Sequence, residues 1–134
     1  MLTPAECQAL LEEARKAKSM AYAPYSRYQV GAALLTEDGE VFTGANIENA
    51  SYGLTVCAER TAVFSAVLNG RKKFTAIAVS VRGGDIPYPC GACRQVLEEF
   101  SPDMEVILDL PEGMKVYTLN ELLPHAFRLT PPKE

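Results

Sequence analysis

The segment from Phe74 to Val81 constrains the fold more than any other part of the sequence. Its residues, Phe-Thr-Ala-Ile-Ala-Val-Ser-Val, are nearly all apolar. A strand of this composition is typical of the interior of a sheet that is covered on both faces. We therefore predict that this segment is a central strand with helices packed on either side.

Helical and extended patterns alternate along the rest of the chain. Thr3, Pro4 and Glu6 form a capping-box pattern that begins a first helix, which is predicted to run to about Met20. Asp38-Gly39 is a hairpin signal between two strands. The other predicted helices are Thr55–Leu68, Gly91–Phe100 and Leu119–Leu123, and the other predicted strands are Tyr28–Leu35, Glu40–Gly44, Met104–Leu110 and Lys115–Thr118.

The order of these elements, α-β-β-α-β-α-β-β-α, predicts an α/β fold. A helix between two strands favours a right-handed parallel crossover, and the hairpins add antiparallel edges. The predicted architecture is a three-layer α-β-α arrangement with a five-stranded mixed sheet. The loops before the second and third helices are expected to open at one end of that sheet, where folds of this kind bind ligands.

Composition restricts the possible functions. A length of 134 residues predicts one domain over residues 1–134. No apolar run approaches the ~18 residues of a membrane span, and the first six residues lack the pattern of a signal peptide, so we expect a cytoplasmic protein without a membrane partner. The net charge is −4, and the longest basic run is Arg71–Lys73. This balance disfavours nucleic acid and favours a small, uncharged substrate.

The cysteines indicate metal or redox chemistry. Disulfides are disfavoured in a cytosolic chain of this size. Cys57-Ala58-Glu59 lies at the start of the second predicted helix, and Pro89-Cys90-Gly91-Ala92-Cys93 lies at the start of the third. A helix N-terminus stabilises a thiolate, which is the form of cysteine that binds zinc.

Counting ligands favours a catalytic zinc site. Cys57, Cys90 and Cys93 supply three ligands, whereas Cys7 is expected to be a buried, unreactive thiol and His125 a surface residue. A structural zinc site has four protein ligands, but a catalytic one has three and keeps a position for water. A base must still accept the proton of that water, and the carboxylate of Glu59 starts close to the metal.

Two alternatives remain open at this point. Pro-Cys-Gly-Ala-Cys at the start of a helix is also typical of thiol–disulfide oxidoreductases, although that interpretation leaves Cys57 and Glu59 without a role. A purely structural zinc module would need a fourth ligand, and none is near in sequence.

The combined pattern resembles a known family. Cys-x-Glu followed by Pro-Cys-x-x-Cys is the three-cysteine form of the zinc deaminase signature. Longer segments look like the small, homotetrameric cytidine deaminases, and Leu122-Leu123-Pro124 with Phe127 resembles the C-terminal segment of that family. These longer segments are Tyr25–Ala33, Asn46–Tyr52, Cys57–Ala62 and Pro89–Val96.

The resemblance implies a reaction. One Zn²⁺ per chain would activate water, and Glu59 would take its proton. Hydroxide would attack C4 of cytosine while Glu59 protonates N3, and Glu59 would then help to deliver a proton to the departing ammonia. The products would be uridine or deoxyuridine, as in pyrimidine salvage. A modified cytosine nucleoside, such as an aminoacyl-nucleoside antibiotic, is an alternative substrate.

The resemblance also implies the contacts of the substrate. Asn46 and Glu48 match the pair that hydrogen-bonds the ribose 3′-hydroxyl, and the backbone N–H of Ala58 would contact O2 of the base. Tyr28 and Phe127 match positions that pack on the base, with Phe127 coming from a neighbouring subunit of a homotetramer with shared active sites. The family usually has Phe at the Tyr28 position.

The charge of the metal site assigns a role to one more residue. Three thiolates and Zn²⁺ sum to −1, which would make bound water less acidic than in a neutral site. A guanidinium that donates to a sulfur would offset this charge. Arg60 resembles the family residue in that role, and Gln95 is expected to assist it. Ala45 stands where relatives often have Cys.

Overall fold

A computed structural model describes residues 1–83 and 85–132. The first helix, α1, covers Pro4–Lys18. The capping box at its start is confirmed, because Thr3 Oγ1 accepts from the Glu6 amide and Glu6 Oε1 accepts from the Thr3 amide. The remaining helices are α2 (Ala58–Leu68), α3 (Gly91–Phe100) and α4 (Leu119–Leu122), and the strands are β1 (Val30–Thr36), β2 (Val41–Ala45), β3 (Phe74–Val81), β4 (Glu105–Leu110) and β5 (Gly113–Thr118).

The strands form one mixed sheet that, within the described residues, has five strands in the order β2-β1-β3-β4-β5. The prediction of Phe74–Val81 as the central strand is confirmed. β3 pairs in parallel with β4 through the α3 crossover, whereas the other neighbouring pairs are antiparallel. The predicted α/β fold with a mixed sheet is therefore correct.

Helices cover both faces of the sheet, because neighbouring strand residues point to opposite sides. On one face, Leu11 and Ala14 of α1 pack against Ala33 and Ala78. On the other face, Val63 of α2 and apolar residues of α3 and α4 pack against the alternate positions of the strands. The two buried layers account for the three-layer α-β-α architecture.

The second helix starts three residues later than the predicted Thr55. Val56 forms an antiparallel bridge with Ile47, in which each amide donates to the carbonyl of the other at 3.0 Å. This pairing holds Val56 in an extended conformation, and Leu54 lies in a 3-10 turn over Tyr52–Leu54. Cys57 consequently becomes the N-cap of α2.

None of the helices in residues 1–83 and 85–132 combines the length and the apolarity needed to cross a membrane.

Candidate metal and substrate site

Three cysteines converge where two helices begin. Cys57 is the N-cap residue of α2, Cys90 is the N-cap residue of α3, and Cys93 lies in the first turn of α3. Their sulfur atoms lie within 4.8 Å of one another, and the Sγ atoms of Cys90 and Cys93 are 3.5 Å apart. The crossover between β3 and β4 therefore brings together Cys57 and Cys90, which are 33 positions apart in the sequence (90 − 57), as expected for two loops that open at one end of the sheet.

Electrostatics within this cluster favour negative charge on one sulfur. Hydrogen bonds from Cys93 and then from the Arg60 guanidinium lower the pKa of Cys57 to about 5. The same pairing with Cys57, together with burial, raises the pKa of Cys93. A divalent cation bound by the three sulfurs would displace the protons of the thiols.

The cluster fits a zinc ion. Zn–S bonds of about 2.3 Å place sulfurs roughly 4 Å apart around a tetrahedral centre, which agrees with the spacing found here. Cys7 is 3% exposed and lies on the buried side of α1, on the opposite face of the sheet, and His125 is exposed. In the part of the chain that the structure describes, the group has three members, so the donor set is that of a catalytic zinc site and not that of a closed structural one.

Glu59 is a buried carboxyl group beside this cluster. It lies in the first turn of α2, two residues after Cys57, and is 5% exposed. Burial raises the pKa of Glu59 to about 7. A group with this pKa both accepts and donates protons at neutral pH, which is what a general acid–base catalyst requires.

A cavity of about 350 Å³ opens next to the cysteines. Its wall includes five residues that the sequence predicts for the substrate and the proton transfer, namely Tyr28, Asn46, Glu48, Ala58 and Glu59. The end of β3 and the loop after it also line the cavity, as do Val30, Tyr52 and Thr55. The cavity thus lies beyond the carboxyl end of a parallel strand, where ligand sites are expected in such folds.

Sequence reasoning missed part of this wall. Ser26, Ile86, Pro87 and Tyr88 line the cavity but have no predicted role. Ile86, Pro87 and Tyr88 could have been found from their position between the central strand and the Pro89-Cys90 motif, because a loop that leads to a candidate metal ligand borders the site. Ser26 lies in the family-like segment Tyr25–Ala33, but the resemblance assigns it no role.

The side chain of Asn46 is buried and hydrogen-bonds the backbone at the start of β1. Its Oδ1 accepts from the Val30 amide at 2.9 Å, and its Nδ2 donates to the Tyr28 carbonyl at 2.7 Å. One hydrogen on Nδ2 and one lone pair on Oδ1 remain beyond these bonds.

Glu48 is buried and ionised. Its Oε1 accepts from the backbone amides of Tyr25 and Ser26, and its Oε2 accepts from the Ser26 hydroxyl. The bond from the Ser26 hydroxyl, followed by the two amides, lowers the pKa of Glu48. A carboxylate held in this way stays negative at the cavity wall.

The ring of Tyr28 is partly buried and lies beneath a cation. The Arg82 guanidinium carbon is 4.7 Å from the centre of the ring, and Arg82 also pairs with Asp85 at 2.9 Å. Burial raises the pKa of Tyr28. Its hydroxyl is therefore protonated at neutral pH.

The remaining predicted residues lie at different places. Arg60 Nη2 donates to Cys57 Sγ at 3.2 Å, so this residue contacts the cluster. Gln95 Nε2 donates to the Phe127 carbonyl at 2.9 Å, which directs Gln95 to the C-terminal segment, and its contact with a sulfur stays a prediction. Phe127 is 70% exposed and is not part of the cavity wall of its own chain.

Together, the fold and the three-cysteine group define an α/β protein with a catalytic type of metal site. Residues 4–109 match the family model of the cytidine and deoxycytidylate deaminase zinc-binding region. The chain belongs to this deaminase family.

Relatives agree over nearly the whole length. The chain is 56% identical to a cytidine deaminase of Halalkalibacterium halodurans, over 90% of this chain and 92% of that protein. It is 48% identical to a cytidine deaminase of Sporosarcina psychrophila, over 91% of each. A crystal structure of cytidine deaminase from Burkholderia pseudomallei superposes with a TM-score of 0.84 at 49% identity, over 94% of this chain and 100% of that one.

Proposed function

We propose that this protein deaminates cytidine and deoxycytidine hydrolytically, giving uridine or deoxyuridine and ammonia, and that it serves pyrimidine salvage. One observation carries the proposal: the buried Glu59 carboxyl group borders the same cavity as Cys57 and Cys90, and the sulfurs of these two cysteines converge with that of the buried Cys93. Membership of the deaminase family and the names of the relatives support this choice of reaction. The oxidoreductase alternative loses support, because Cys57 joins the Cys-x-x-Cys pair in one group.

Cys57, Cys90 and Cys93 would hold one zinc ion per chain. When bound there, zinc supplies Lewis-acid activation of water at neutral pH. The two helix N-termini add partial positive charge near the sulfurs and favour their thiolate forms. Arg60 supplies a full positive charge to Cys57.

Glu59 moves the protons. It accepts a proton from the attacking water and delivers one to N3 of the cytosine ring, which makes C4 more electrophilic. It then takes the remaining proton from the new C4 hydroxyl and passes it to the exocyclic amino group, so the C4–N bond breaks, ammonia leaves and the C4 carbonyl forms. Burial raises the pKa of Glu59 above the ordinary carboxyl value, which suits a group that must both accept and donate a proton.

Asn46 and Glu48 would bind the sugar. Each has hydrogen-bonding capacity left after its contacts with the protein. The negative charge of Glu48 suits a hydroxyl donor and repels a phosphate, which favours nucleosides over nucleotides.

The base would be held by α2 and by aromatic rings. Ala58 is the first residue of α2, so its amide is one of the N–H groups that a helix leaves without an internal partner. This amide would donate to O2 of the base, while the Tyr28 ring packs on the face of the base. The exposed Phe127 would contribute from a neighbouring subunit of a homotetramer with shared active sites, the assembly that the family resemblance implies.

A substrate panel tests the proposal. The zinc-loaded protein is mixed with cytidine, deoxycytidine, deoxycytidine monophosphate, adenosine, free cytosine and an aminoacyl-cytosine nucleoside, and both absorbance and ammonia are followed. We expect turnover of the first two alone and about one zinc per chain. Turnover of the monophosphate or the aminoacyl compound in preference to cytidine would overturn the assigned substrate. A metal-free protein with a reducible disulfide would overturn the reaction.

A further inference from the structure

The hydroxyl of Ser26 connects two parts of the cavity wall. It donates to Oε2 of Glu48 and accepts from the backbone amide of Tyr28 at 3.0 Å. Glu48 and Tyr28 both line the cavity, and so does Ser26 itself. A single hydroxyl therefore fixes the sugar-side carboxylate relative to the backbone that carries the aromatic ring.

Counting acceptor positions shows what this arrangement leaves for a ligand. An ionised carboxylate offers about four lone-pair sites. The amides of Tyr25 and Ser26 occupy the sites of Glu48 Oε1, at 3.0 and 3.2 Å. The Ser26 hydroxyl occupies one site of Oε2. One acceptor site on Oε2 remains, and its direction depends on the bond to Ser26.

The backbone around Ser26 needs the same hydroxyl. Arg27, between Ser26 and Tyr28, has a φ of 57°, in the left-handed region that favours glycine. A serine hydroxyl that accepts from the amide two residues ahead forms a local turn that stabilises such a conformation. The Arg27 amide donates to the Ala23 carbonyl at 2.9 Å and closes the turn from its other side.

We propose that Ser26 is a positioning residue that sets how strongly the site discriminates for the sugar 3′-hydroxyl, by aiming the free acceptor of Glu48 at a fixed place relative to Tyr28. This inference rests on the proposed function, in which Glu48 accepts a hydrogen bond from that hydroxyl.

Removing the hydroxyl should weaken recognition at one position of the substrate. In Ser26→Ala, Oε2 loses the donor that holds it, and the Tyr28 amide loses its acceptor. Hydrogen bonds to a charged group that depend on fixed geometry are strong, so we expect the preference for a 3′-hydroxyl to fall at least about tenfold. Ser26→Thr keeps the hydroxyl and should keep most of the preference.

The experiment compares two substrates that differ only in the 3′-hydroxyl. The ratio of kcat/KM for deoxycytidine to that for 2′,3′-dideoxycytidine is measured for the zinc-loaded wild type, Ser26→Ala, Ser26→Thr and Glu48→Gln. The matched control is Ser19→Ala, which removes an exposed hydroxyl that also bonds a nearby backbone group, the Lys16 carbonyl at 2.8 Å. Calorimetric binding of deoxyuridine and 2′,3′-dideoxyuridine gives the same ratio without turnover.

We expect a high ratio for the wild type, Ser26→Thr and Ser19→Ala, and a low ratio for Ser26→Ala and Glu48→Gln. Adding Ser26→Ala to Glu48→Gln should lower the ratio no further, because both changes act on one contact. If Ser26→Ala lowered kcat/KM by the same factor for deoxycytidine and 2′,3′-dideoxycytidine, Ser26 would have a merely structural role and the inference would be overturned. A Ser26→Thr ratio as low as that of Ser26→Ala would also overturn it.

The result separates this inference from the proposed function. If the wild type converts deoxycytidine and prefers the 3′-hydroxyl, but Ser26→Ala keeps that preference, only the role of Ser26 is wrong. If the wild type converts neither nucleoside, the proposed function is wrong and the role of Ser26 with it.

Discussion

Arg60 donates from Nη2 to Sγ of Cys57 at 3.2 Å, while its Nε is buried and has no hydrogen-bond partner in the described part of the chain. Bonding to Cys57 raises the pKa of Arg60 further above its usual value, so the side chain is a permanent cation at the cluster. Three thiolates and a zinc ion sum to −1, and this guanidinium brings the local sum to zero. The contact therefore makes Arg60 part of the charge balance of the proposed metal site.

Replacing Arg60 should weaken zinc retention and activity together. In Arg60→Ala the excess negative charge on the sulfurs remains, and we expect roughly 10–100-fold lower metal affinity or kcat/KM, as is typical for groups that support metal ligands. The metal affinity and kcat/KM of Arg60→Lys should lie between those of the wild type and those of Arg60→Ala, since an ammonium keeps the charge but not the planar guanidinium geometry. Zinc content after dialysis and steady-state kinetics are measured. Arg71→Ala, which removes a surface ion pair with Asp38 and Glu40, is the control. Unchanged zinc content and kinetics in Arg60→Ala would contradict this role.

Glu59→Gln should abolish most activity without loss of metal. The amide keeps the size of the side chain but transfers no proton, so kcat should fall by at least about 10²–10⁴-fold. Zinc content should stay near that of the wild type, because Glu59 is not a proposed ligand. Glu99→Gln, at an exposed position of α3, controls for the loss of a negative charge. Activity that survives in Glu59→Gln would rule out its proton transfer role.

The three-cysteine group could be predicted from the sequence because the information is local. Cys90 and Cys93 are three residues apart at the start of α3. Cys57 is the N-cap residue of α2, as Cys90 is of α3. Their convergence needed only the prediction that both helices begin at one end of the sheet. The apolar composition of Phe74–Val81 likewise settled the centre of the sheet.

Other features depended on contacts between distant segments. Val56 looks helical in sequence, but its pairing with Ile47 delays the start of α2. The spacing of Asn46 and Glu48 gives no sign that their side chains bond the backbone of the Tyr25–Val30 segment. The hydrogen bond of Gln95 to the Phe127 carbonyl also joins residues 32 positions apart, so no local pattern predicts it.

Gly44→Ala should destabilise the fold and disturb the metal site. A Cβ at Gly44 would lie 2.4 Å from the Ala62 nitrogen and 2.5 Å from the Ala58 oxygen, both in the backbone of α2. Because α2 also carries Cys57 and Glu59, its displacement should lower zinc content. We expect the free energy of unfolding to fall by about 3 kcal/mol, as for severe overpacking.

The matched control for this prediction is Gly53→Ala, whose added Cβ would have no neighbour within 4 Å. Its free energy of unfolding should change by no more than about 0.5 kcal/mol. Urea unfolding and zinc analysis of both variants give the comparison. Equal stability of the two variants would show that β2 and α2 can separate without cost.

The ion pair between α1 and β4 should make stability depend on pH. Arg15 Nε and Nη2 donate to Asp109 at 2.9 and 3.0 Å, and Ser80 Oγ donates to the same carboxylate. The bond to Arg15 holds the pKa of Asp109 below its ordinary value of 3.8. The folded state therefore binds fewer protons than the unfolded state near this pH. The stabilisation is complete above the unfolded-state pKa and is lost as the pH falls through the folded-state value.

Asp109→Asn should accordingly lower the free energy of unfolding at pH 7 by about 1 kcal/mol, a modest value because both partners are partly exposed. The difference from the wild type should shrink as the pH falls below 3.8. Urea titrations of both proteins across this range provide the measurement. Lys16→Ala, which removes an exposed pair with Glu13, should show no such trend. A difference that grows on acidification would contradict the assignment.

Tyr28 should contribute to substrate binding through its ring and not through its hydroxyl. The Arg82 guanidinium lies 4.7 Å over that ring, and this contact needs only the aromatic face. Tyr28→Phe should therefore keep kcat/KM for cytidine within about threefold of the wild-type value. Tyr28→Ala should raise KM about tenfold with a smaller change in kcat, because aromatic stacking contributes roughly 0.5–1.5 kcal/mol beyond the buried area of the ring. Tyr22→Phe, at an exposed position, controls for loss of a phenol hydroxyl. If Tyr28→Phe lost as much kcat/KM as Tyr28→Ala, the hydroxyl itself would contact the substrate or another residue of the cavity wall.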